Sequence, residues 1–176
     1  MLLRKINAVI SLLTTLFLLN HAIFTSVRML SKGKVEQSAP FVPWVLAGLM
    51  AAHAFISIYF AVSSHMEGDK RKYKTYPKMN RVTIFQRVSG ILLIIFTALH
   101  VAGASGAMQP PQIVHAILPP IFFAIALTHA AVSTDKAFIT LGIGTARFVK
   151  VVSVIVKVIC VATLIAAVTG FYLYVW

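Results

Sequence analysis

Five apolar runs, each about 20 residues long, constrain this chain more than anything else in it. They fall at about 6–27, 41–63, 82–104, 112–132 and 148–175. A helix of that length crosses the hydrocarbon core of a bilayer, and none of the runs has the alternation of a strand. Backbone in lipid must satisfy its own amides and carbonyls, which leaves helices as the structure for such runs. The expectation is an all-α fold: one integral membrane bundle of five transmembrane helices over residues 1–176, with no soluble domain. Arg4-Lys5 followed by an apolar run could pass for a signal peptide. The run is long enough to span, so it reads as the first transmembrane helix.

Composition supports this class. Of 176 residues, 59% are hydrophobic and 11% charged, where a soluble domain carries about 25% charged residues. The charge is one-sided, with 16 Lys and Arg against 4 Asp and Glu. A basic chain can bind nucleic acid, but here the cations cluster between apolar runs. That is the pattern of cytoplasmic loops and anionic-lipid contact. The stretch 65–81 is the most basic, with Lys70, Arg71, Lys72, Lys74, Lys78 and Arg81 against Glu67 and Asp69. The stretch 29–40 carries Lys32, Lys34 and Glu36. Stretch 103–111 has no charge, and 133–147 carries Asp135, Lys136 and Arg147, with Gly142 and Gly144 to loosen it. The basic residues place the N-terminus on the cytoplasmic side and the C-terminus outside. The one cysteine, Cys160, permits no intrachain disulfide and no CxxCH attachment. It reads as a small packing residue.

Six histidines carry the chemistry: His21, His53, His65, His100, His115 and His129. Four lie well inside apolar runs, one on each of the first four: His21, His53, His100 and His129. At about 1.5 Å of rise per residue, His21 and His100 share the outer level. His129 lies towards the inner end of its run and His53 near the middle of its own. The pairing by depth is His21 with His100 and His53 with His129. Pro119-Pro120 should kink the fourth helix and adjust its level. A lone histidine in a membrane helix is commonly a hydrogen-bonded packing residue. Four, one per helix and in two level-matched pairs, point instead to haem iron held from both faces between facing helices. A bare metal site would want convergent ligands with carboxylate help, and no acid lies inside a run.

The neighbours suit a flat ring: Ala22, Ala51, Ala52, Ala54, Ala98, Ala130 and Ala131 are small. Thr25, Ser57 and Ser133 each follow a histidine by four residues and could fix backbone or imidazole orientation. His115 reads as an outer-edge residue and His65 as a cytoplasmic interface residue. Arg87 enters the third run at the cytoplasmic level; it reads as snorkelling to headgroups or, if it meets a propionate, as meeting that of the inner haem. Arg28, seven residues after His21, is open between the outer haem's propionates and lipid headgroups. Lys157 reads as snorkelling to headgroups. Ser89-Gly90 lets a helix or a ring come close.

The third run, FQRVSGILLIIFTALHV, resembles the third-helix motif of the five-helix, two-haem cytochrome b anchors of succinate dehydrogenases and fumarate reductases. That motif is a Gln-Arg-x-Ser/Thr-Gly opening, an apolar run and a ligand histidine. LLNHAIFTS, AAHAFISIYFAVSS and ALTHAAVSTDKAFITLGI are similar to the ligand segments of the first, second and fourth helices, in the same order. The resemblance implies two haem b groups, His21/His100 on the one distal to the soluble subunits and His53/His129 on the proximal one. It implies a flavoprotein and an iron–sulfur subunit on the cytoplasmic face of the cell's inner membrane. A quinone, menaquinone or ubiquinone, would react in or beside this subunit. Some members carry intramembrane glutamates for quinol chemistry and proton return; here Glu36, Glu67, Asp69 and Asp135 all fall in expected connections. Two alternatives stay open: a cytochrome b subunit of another membrane oxidoreductase such as a hydrogenase, and a haem-free transporter or assembly protein.

Overall fold

The computed structural model describes residues 2–35, 39–66, 77–107 and 112–175, with 64–66, 77–80, 112–116, 146 and 175 described by their backbone alone. These residues form five helices: α1 (Leu2–Leu30), α2 (Val42–Met66), α3 (Pro77–Ala104), α4 (Gln112–Leu141) and α5 (Ala146–Val175). Every one is long and apolar enough to cross a membrane. The shortest has 25 residues, or about 37 Å of helix against a hydrocarbon core of about 30 Å.

The helices outrun the apolar stretches, most of all in α4. It passes unbroken through Pro119 and Pro120 and continues to Leu141. Asp135 and Lys136 therefore belong to a helix, not to a connection. Hydroxyls in this polar extension fold back on their own helix, with Thr134 Oγ1 donating to the Ala130 carbonyl at 2.8 Å and Thr140 Oγ1 to that of Lys136 at 2.7 Å. Gly142, at φ +68°, ends it. The Gly142 amide donates to the Ile139 carbonyl and the Ile143 amide to that of Phe138, the paired bonds of a glycine C-cap. The cations and acids of residues 67–76, and Glu36, lie outside the described residues.

Among the described residues the closely packed pairs are α1–α2, α1–α4, α1–α5, α4–α5 and α3–α4. The core is thus α1, α4 and α5, and α2 and α3 each lean on one helix of it. Small side chains bring the core helices together: α1 buries Ala8, Thr15, Ala22 and Ser26, and α5 buries Ser153, Cys160, Thr163, Ala167 and Phe171. Seven-residue spacing puts most of each set in one stripe. Gly170 marks the closest approach, where an added Cβ would sit 3.1 Å from both Met29 Cβ and the Ser26 carbonyl oxygen. Cys160 packs with Leu127 and Ala131. Ala131 thus serves helix packing, while Ala51 and Ala98 are exposed, so the small residues do not mark one ring-facing surface.

Candidate functional site

The histidine pairs lie across α1–α3 and α2–α4, the two combinations a pair of ligands needs and neither of them a closely packed helix pair. At the end of the bundle away from the N-terminus, the rings of His21 and His100 meet edge-on, with centroids 6.4 Å apart and planes at 73°. An imidazole nitrogen binds a first-row metal at about 2 Å, which puts the ring centroid about 3 Å from the metal and two opposed centroids about 6 Å apart. The observed spacing therefore suits one metal between the two rings. Phe122 of α4 lies 5.4 Å from His100, centroid to centroid, and Phe96 packs on Phe122. These aromatics wall the site from the α4 side. No periodic signal in the sequence distinguished them from ordinary lipid-facing phenylalanines.

Nearer the N-terminal end, His129 is held by α3. Ser89 Oγ lies 2.7 Å from His129 Nδ1. The Ser89 hydroxyl has one proton and also lies 2.6 Å from the Phe85 carbonyl. When that proton goes to Phe85, the hydroxyl accepts from His129 Nδ1–H and the Nε2 lone pair is left available. Gly90 lies beneath the ring, where an added Cβ would rest 3.6 Å from His129 Cε1. Ser89 and Gly90 thus both meet the histidine of α4. His53 of α2 is within electrostatic reach of His129. Across from it, Asn7 of α1 puts its backbone carbonyl beside the His53 ring, and its side-chain amide donates to Ser57 Oγ at 3.4 Å.

A polar seam aligns α3 with α4 below this level. Gln86 Nε2 donates to Ser133 Oγ at 3.4 Å, so Ser133 partners Gln86 in place of an imidazole. Lys136 Nζ donates to Gln86 Oε1 and to Thr83 Oγ1. Arg87 is exposed at the same level and close enough for its charge to act on Lys136. Lys136 lies seven residues after His129, so both fall on one face of α4 about 10 Å apart. That spacing was present in the sequence but hidden by placing Lys136 in a loop.

Lys157 does not simply reach for headgroups. Its ammonium pairs with Asp135 Oδ2 at 3.1 Å and donates to Ser153 Oγ at 2.7 Å. The pair ties α4 to α5 beside an open groove lined by Phe138, Ile143 and Lys150. Arg28, in the last turn of α1, is half-buried. The side chains of His65 and His115 lie outside the described residues.

Do these residues fit haem? Among the described residues, buried side-chain atoms without a hydrogen-bond partner include His21 Nδ1, His53 Nδ1, Asn7 Oδ1, Thr97 Oγ1 and Asp135 Oδ1. The first four belong to the candidate histidines, lie within a turn of them or touch them, while Asp135 belongs to the α4–α5 ion pair. Buried polar groups are ordinarily satisfied, so the four at the histidines leave polar atoms there for a further group to meet. No three His, Cys, Asp or Glu side chains converge among the described residues. Histidines that come together in twos suit haem iron, which takes two ligands from the protein and its other four from the porphyrin. The donor set fits the group. No family model, curated protein or solved structure matches the chain.

Proposed function

We propose that the chain is a di-haem cytochrome b, carrying electrons across the membrane as the anchor of a succinate dehydrogenase or fumarate reductase type complex. The observation that carries this reading is the His21–His100 ring spacing of 6.4 Å across two helices that do not pack closely. His53 and His129, within electrostatic reach of each other across two other helices that do not pack closely, support it. So does the Gln86-Arg87-x-Ser89-Gly90 segment, each of whose named residues lies at the α3–α4 seam or beside it.

Haem supplies one-electron transfer when bound. The protein's part is to hold and tune it. His21 and His100 would take the group at one level, His53 and His129 the group at the other. By accepting from Nδ1–H, Ser89 would hold the tautomer and ring direction of His129, as acceptors behind metal-bound imidazoles generally do. Arg87 and Lys136 bring positive charge to the level where the propionates of the inner group need it, and Arg28 is placed to do so at the other. In this reading the basic end faces the cytoplasm and receives a flavoprotein and an iron–sulfur subunit. Those partners carry out the dicarboxylate chemistry, and a quinone exchanges electrons at the membrane subunit of the cell's inner membrane.

Purification in mild detergent with a haem-to-protein ratio, a low-temperature spectrum and identification of co-eluting chains tests the proposal. Two b-type haems per chain with bis-imidazole spectra, together with flavin and iron–sulfur subunits, are expected. A colourless protein overturns it.

A further inference from the structure

Asparagine in the first turns of a membrane helix is costly unless a polar group meets it. Asn7 lies on the α1 face toward α2, half-buried, with Nδ2 donating to Ser57 Oγ. Ser57 is one turn along α2 from His53, on the same face. The Asn7 backbone carbonyl lies beside the His53 ring. His53 Nδ1 is buried without a hydrogen-bond partner. Asn7 Oδ1 is also buried without a partner. One atom lacks a donor, and the other is a donor whenever Nε2 is the metal-binding nitrogen.

We propose that Asn7 is the positioning residue of His53: its side-chain oxygen accepts from Nδ1–H and turns Nε2 toward the space shared with His129. The inference rests on the di-haem reading. Asn7 then does for His53 what Ser89 does for His129, and both ligands of the inner group receive an acceptor from a helix other than their own. A ligand imidazole with such an acceptor is the more basic one and favours ferric iron. A residue that only packs α1 against α2 would leave the iron's potential unmoved.

The test is an optical redox titration of wild-type, Asn7→Leu and Asn7→Asp protein, the inner component being the one that His129→Ala removes. Asn7→Leu, which removes the side-chain oxygen and keeps the backbone carbonyl, raises the inner midpoint and leaves the outer one in place. Asn7→Asp, which keeps an acceptor there, holds the inner midpoint at or below the wild-type value. An unmoved inner midpoint in Asn7→Leu, or equal shifts of both components, overturns the inference. Where Asn7→Leu does not assemble, an upward shift in Asn7→Asp overturns it and a value at or below wild type sustains it. Wild-type protein without haem sinks the di-haem reading itself, a result distinct from two normal haems that ignore residue 7.

Discussion

Ser89 and His129 meet at 2.7 Å across the α3–α4 contact, and Ser89 Oγ also lies 2.6 Å from the Phe85 carbonyl. With the serine proton on that carbonyl, His129 carries its hydrogen on Nδ1 and keeps the Nε2 lone pair for a metal.

Ser89→Ala removes that acceptor without changing the helix. Losing the acceptor behind a metal-bound imidazole costs roughly 10–100-fold in metal-site affinity. The inner haem should be lost first on titration with a competing haem scavenger, and its midpoint should rise. Haem retention and potentials equal to wild type would show that His129 does not ligate.

His100→Ala should remove one haem and leave the other. Its ring is the only partner of His21 among the described ring contacts, and the His53/His129 pair lies at the other level. A halved haem-to-protein ratio with one remaining midpoint is the expected result. Loss of both groups with the chain still folded by circular dichroism would argue against two separate sites.

Gly170→Ala tests the core. The new Cβ would lie 3.1 Å from the Ser26 carbonyl oxygen, a backbone atom that cannot swing aside. Overpacking at such a contact costs about 1–3 kcal/mol. A lower thermal midpoint in detergent is expected, with haem spectra unchanged in the protein that remains folded.

Asp135→Asn separates the α4–α5 ion pair from the haem sites. With Asp135 and Lys157 side chains 36% and 45% exposed, the pair is worth about 0–1 kcal/mol. Melting should shift little and both haem potentials should stay in place. A large potential shift would instead tie Asp135 to the electron path.

The bundle was legible because runs of about 20 apolar residues leave lipid-facing backbone one solution. The histidine levels were legible because helical rise is constant. What hid was whatever depends on partners far apart in sequence. Asn7 gave no signal alone, since Ser57 and His53 lie on another helix. Lys136 and Asp135 looked like loop residues because hydropathy falls where α4 leaves the apolar zone, yet the helix continues to Leu141. Ser133 suggested an imidazole partner by its spacing from His129, but one turn further along the same face it meets Gln86 of α3. Ala131 looked like room for a ring and is instead filled by Cys160. Composition identifies small residues, but only packing tells which surface they serve.

The account stands or falls on whether the two imidazole pairs hold iron. The direct measurement is haem b per chain in the purified protein, read by pyridine haemochrome, with the low-spin signals resolved by electron paramagnetic resonance. The account predicts two haems per chain and two bis-histidine signals, one abolished by His21→Ala and the other by His129→Ala. A protein that folds with all four histidines in place and takes up no haem would contradict it.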